Sequence, residues 1–174
     1  QAHAIVFSPN FPGDRSLVAV TENGTGVRLE TLVFSATPLW NGEVNYPASI
    51  LDYGSGEITG ASDASLALSP DYAGAGEIES VAFIGVTSSD TTESGIYRMD
   101  DYISSNLKRG VDVYSVAFDG SVAVAGTTTA TAWRSENPLD ASPTFAGNSN
   151  MKVPDGTTYA IVAFAGSSVV AGTS

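Results

Sequence analysis

Short apolar runs, each closed by turn residues, recur along the whole chain, and their order predicts β-strands. One strand type returns four times. Ala4-Ile5-Val6-Phe7-Ser8-Pro9-Asn10-Phe11 resembles Ser65-Leu66-Ala67-Leu68-Ser69-Pro70-Asp71-Tyr72, with Ser-Pro-[Asn/Asp]-[Phe/Tyr] in common. Two later copies run 114–120 and 160–166. The starts, near positions 4, 65, 113 and 160, lie 61, 48 and 47 residues apart. A second apolar run follows each, at 16–20, 80–86, 122–126 and 169–172. Asp119-Gly120, set between two such runs, is a strong two-residue hairpin signal. A third run carries an apolar residue, Arg, any residue and an acid: Val27-Arg28-Leu29-Glu30, Tyr97-Arg98-Met99-Asp100 and Trp133-Arg134-Ser135-Glu136. Candidates for a fourth strand lie near 49–53, 106–108 and 150–153. No stretch reads as an amphipathic helix. The best short candidate, 100–107, reads as a loop or one helical turn.

Repeats of this length with three or four short strands have the size of propeller blades. Short hairpin links make the sheets antiparallel. The expected fold is therefore all-β: antiparallel β-propeller blades in one repeat region, 1–174. The approximate blades are 1–62, 63–111, 112–157 and an incomplete 158–174. A closed propeller needs about four blades. Three and a half repeats thus point to part of a larger or multi-chain propeller. A β-sandwich is the alternative, and the regular period argues against it. The start at Gln1 fits a processed product, and the apolar run Ser168-Val169-Val170, just before the final Ala171-Gly172-Thr173-Ser174, reads as an interrupted strand.

Composition narrows the function. Charged residues are only 15%, against about 25% in an average soluble protein, while hydrophobic residues reach 43%, too many for a disordered tail. The net charge of −12 would repel nucleic acid and anionic membrane surfaces. The absence of cysteine excludes disulfides, thiolate metal sites and a Cys nucleophile. No run of 18 apolar residues is present to form a membrane-spanning helix.

Candidate chemistry is sparse. The Arg-x-acid positions, Arg28 with Glu30, Arg98 with Asp100 and Arg134 with Glu136, suit ion pairs along an exposed strand, because residues two apart share a face. The competing reading is a ring of ligand-binding arginines. His3 is the single histidine and is expected to be a frayed terminal residue. Asp90, Glu93, Asp100 and Asp101 are the carboxylates that would have to hold calcium, the one candidate cofactor, although no calcium-loop spacing is complete. Trp40 and Trp133, with Tyr46, Tyr53, Tyr72, Tyr97 and Tyr102, could stack on sugars, but are expected to fill space between blades. Asn23-Gly24-Thr25 matches a glycosylation triplet and equally a hairpin turn.

Ser8-Pro9-Asn10-Phe11 followed by Asp14-Arg15-Ser16-Leu17 resembles the blade opening of bacterial BNR/sortilin-like propellers. Trp133-Arg134-Ser135-Glu136-Asn137 resembles the start of an Asp-box, degenerate in having Asn137 and Leu139 where the full motif has Asp and Gly. The resemblance implies a propeller of cell-surface or surface-layer type. Asp-boxes are structural turns and imply no activity. The expectation is a non-catalytic structural or interaction protein of a bacterial exterior. Its partners would be other protein chains, including copies of itself, or further segments of a parent chain, with no nucleic acid and no membrane insertion. The alternative is a carbohydrate-binding or glycan-hydrolysing propeller.

Overall fold

The computed structural model describes residues 1–52, 56–74, 80–147 and 158–173. The chain is all-β, built of antiparallel sheets, none closed on itself. The first sheet is β1 (Ala2–Phe7), β2 (Ser16–Glu22), β3 (Val27–Val33) and β4 (Leu39–Trp40), with β5 (Ala48–Ser49) also on β3. The second is β6 (Ala61–Leu68), β7 (Val81–Ser88), β8 (Gly95–Asp100) and β9 (Ile103–Arg109). The third is β10 (Val113–Phe118), β11 (Ala123–Thr127), β12 (Ala132–Ser135) and β13 (Ala146–Gly147). The fourth holds β14 (Ala160–Ala165) and β15 (Ser168–Thr173). The one helix among the described residues is the turn α1 (Phe11–Asp14).

Turn chemistry explains why each strand folds back on the one before it. Asp119 Oδ1 accepts from the backbone N–H of Ser121 (2.9 Å) and Val122 (2.7 Å), and Gly120 takes the positive φ of 104° that the turn requires. The two Ser-Pro motifs build the same bend. Phe11 N–H donates to the Ser8 carbonyl and Tyr72 N–H to that of Ser69. Each serine hydroxyl is tied to a local carboxylate, Ser8 to Asp14 and Ser69 to Asp71. Segment 100–107, read from sequence as a loop or helical turn, is instead a hairpin. Asp101, at φ 55°, turns the chain between β8 and β9.

Pairing register puts the sheets on one frame. Phe7, Leu68, Phe118 and Phe164 are each the last or next-to-last residue of a first strand, and they pair with Leu17, Ala82, Ala123 and Val169. Every sheet thus has two faces set by strand alternation. Val18, Val20 and Leu29 of the first sheet meet Ala64, Leu66, Ile84 and Tyr97 of the second in one core. The opposite face of the second sheet carries Phe83 to Phe118 of the third, with ring centroids 4.5 Å apart. Val124 and Ala132 of the third sheet share a core with Val162 and Phe164 of the fourth. The four first strands together line one open cavity of about 330 Å3, with Phe7, Leu68, Phe118 and Phe164 in its wall.

Candidate functional site

The frame changes the meaning of the arginines. Arg98 pairs across from Phe83, and Arg134 from Val124, which are equivalent positions. Arg28 pairs across from Thr21, three residues along; Thr31, opposite Val18, holds the corresponding place in the first sheet. Arg28 and Glu30 therefore do not share the position of the other two pairs. The four-residue pattern in the sequence matches, but the strand pairing that defines a repeat position does not. Arg28 bonds Glu57 through both terminal nitrogens (2.7 and 2.9 Å), while Glu30 accepts from Thr21 (2.7 Å) and Asn41 (2.5 Å).

Arg98 is buried at the junction of the second and third sheets. Its Nε donates to Asp100 (2.9 Å) and its Nη1 to the carbonyls of Pro138 (2.8 Å) and Asp140 (3.1 Å) in the β12–β13 connection of the next sheet. Arg134 lies 3.3 Å from Glu136, and its buried Nε has no hydrogen-bond partner among the described residues. The fourth sheet, on the side Arg134 faces, contains two strands among the described residues.

Each end of the sheet series carries exposed apolar residues, although on the first sheet Leu17 and Ala19 of that face are buried and Arg28 and Glu30 share it. On β1, Ile5 and Phe7 are 59% and 60% exposed; on the fourth sheet, Ile161 and Val170 are 56% and 50% exposed. In both strands of the fourth sheet exposure alternates with burial toward the third sheet.

Three glycines mark how closely sheets approach. Gly85 and Gly126 hold the same second-strand position, opposite Ser65 and Ser115. A Cβ on Gly85 would overlap the Val113 side chain, and one on Gly126 would overlap the Ala160 carbonyl. In each case a glycine admits the first residue of the next sheet's first strand. Gly172, in the same position of the fourth sheet, opposite Ile161, has none of the described residues within 4 Å of where a Cβ would stand. The matching Ala125-Gly126-Thr127 and Ala171-Gly172-Thr173 are visible in the sequence, but their role is set by the neighbouring sheet.

His3, expected to be frayed, is instead held in β1 with its side chain 2% exposed and Nε2 3.8 Å from Glu22 Oε2. Beside it, burial pushes the Asp63 carboxyl above its ordinary value, partly offset by the Ala64 backbone and by His3. A raised folded-state value means that ionisation costs stability, so the cost is present at neutral pH and is relieved as pH falls through the raised value. Asp63→Asn is therefore expected to raise the melting temperature at pH 7 and to make no difference once the wild-type carboxyl is protonated. Thermal melts of both proteins from pH 7 to pH 3 check this.

The four carboxylates weighed for calcium are not brought together. Asp90 accepts from Thr92 in its own turn (2.9 Å), Glu93 from Thr59 N–H (2.9 Å), Asp100 from Arg98 and Asp101 from the Tyr46 hydroxyl (3.0 Å). Among the described residues, no three His, Asp or Glu side chains gather as metal ligands. Tyr46, Tyr72 and Tyr97 are core residues, and burial pushes all three hydroxyls above their ordinary value. Trp40 and Tyr102 are exposed, and Lys108 Nζ sits 4.3 Å from the Trp133 ring. Tyr53 and the strand candidate at 150–153 lie outside the described residues. Asn23 caps the exposed β2–β3 turn through Thr25, and Gly24 takes φ 84°. No helix among the described residues is long and apolar enough to cross a membrane.

Comparison with family models, curated proteins and solved structures finds no match.

Proposed function

We propose that this chain is a propeller segment of a cell-exterior assembly, a structural component that acts through its end faces and sheet edges. One observation carries the reading. Successive antiparallel meanders set their first strands round a common cavity, while Ile5 and Phe7 of the first sheet and Ile161 and Val170 of the fourth stay exposed on the outward faces. Radial sheets round a channel are what a propeller requires, and closure is what removes open faces. The turn at Ser135 and Asn137, where Asn137 accepts from Thr144 N–H (3.0 Å), supports the degenerate Asp-box likeness. The strongly acidic, low-charge composition suits an exported, non-catalytic component.

The test is the native mass by light scattering beside intact mass spectrometry. A discrete or filamentous multimer of the 17.8 kDa chain is the expected result. A stable monomer that unfolds in one cooperative step would overturn the open-propeller reading.

A second reading, glycan binding, has one observation in its favour. A hollow of about 260 Å3 is lined by Asp112, Thr127, Thr129, Thr131 and Trp133. A carboxylate, hydroxyls and an aromatic ring round one hollow suit a sugar. Saturable binding to a glycan panel, abolished by Asp112→Ala, would establish it.

A further inference from the structure

We infer that the outer face of the fourth sheet is a docking site for the first sheet of a second copy of this chain, joined head to tail. The inference rests on the assembly reading above and names its partner and contact points.

The template is internal. Three junctions join the four sheets, and all are built alike. In each, one second-strand residue (Val18, Phe83 or Val124) shares an apolar cluster with a residue near the end of the next first strand (Leu68, Phe118 or Phe164). Extending the register leaves Val170 without its partner at one end of the chain's sheets and Phe7 without its partner at the other. Both are half-exposed or more.

The glycine position, held by Val20 in the first sheet but by glycine in the next two, gives the same answer at those two junctions. Gly85 receives Val113, and Gly126 receives Ala160. Gly172 receives none of the described residues, and the residue of β1 that corresponds to Val113 and Ala160 is the exposed Ala2, opposite Thr21. Two separate positions along each strand thus leave the same two faces unmatched. A second copy brings Phe7 to Val170 and Ala2 to Gly172 in one docking. The β14 and β15 residues on this face are uncharged, and on the matching face of the first sheet Arg28 is already paired with Glu57, and Glu30 hydrogen-bonded to Thr21 and Asn41. Such a contact is heterologous, and repeated it closes a ring or grows a filament. Each copy carries −12, so added salt should favour association by screening the repulsion.

Gly172→Val tests the site. The added side chain meets open space in the single chain, so folding and melting of the dilute protein should be unchanged. At the docked face it would strike the incoming strand, and the multimer should dissociate with an affinity loss of at least about tenfold. Val170→Asp and Phe7→Lys should each give monomers. An equimolar mixture of the two variants should reassemble, because the introduced carboxylate of one then meets the introduced ammonium of the other while the remaining junction stays native. A wild-type multimer unaffected by these substitutions overturns this interface and leaves the assembly reading standing. A wild-type chain that stays monomeric at every concentration and unfolds cooperatively overturns both.

Discussion

Phe83→Ala is expected to destabilise the folded chain by about 4 kcal/mol, the cost of emptying a buried aromatic site that cannot collapse. Phe83 is 1% exposed and holds the second sheet to the third through Phe118. Val81 and Ala67 beside it are fixed by strand pairing and cannot move inward to fill the space. Phe7→Ala removes the same side chain from a residue equivalent to Phe118, yet Phe7 is 60% exposed and touches chiefly Phe11 at 4.9 Å. In dilute solution its loss is expected to cost roughly 1 kcal/mol. Urea unfolding of the two variants at low protein concentration measures the difference directly. Equal losses would show that the second and third sheets do not form the junction described.

How much of this was legible in the sequence follows from what each signal measures. Local signals held. Asp119-Gly120 marks a hairpin because an Asx side chain and a glycine at positive φ satisfy a turn by themselves. The recurring first strands mark the first strands of the four sheets, because the Ser-Pro bend that follows two of them is also local. Non-local features were not legible. Whether Arg28 shares a place with Arg98 depends on pairing with the neighbouring strand, and one four-residue motif fits both a hydrogen-bonded register and one displaced by three. His3 is buried through β1 pairing with β2, which no property of residues 1–4 announces. The glycines at 85, 126 and 172 look alike as letters. Only the approach of the next sheet separates two filled positions from an open one.

The second large effect is at Arg98. Arg98→Ala is expected to cost about 3 kcal/mol, because it leaves the Pro138 and Asp140 carbonyls without their donor and Asp100 without its cation. Arg98→Lys is expected to recover less than half, since one ammonium cannot reach a carboxylate on one side and two carbonyls on the other with the fork geometry of a guanidinium. Arg134 supplies the control from within the same chain. It occupies the equivalent position and keeps the carboxylate two residues on, but its Nε bonds none of the described residues and Glu136 is largely exposed. Arg134→Ala should therefore cost under about 1 kcal/mol. Two arginines with identical local sequence roles would then differ severalfold in effect, and the difference would measure what the following sheet's loop contributes. Should Arg134→Ala prove as costly as Arg98→Ala, the ion pair within the strand, and not the reach across the junction, would be what stabilises this position.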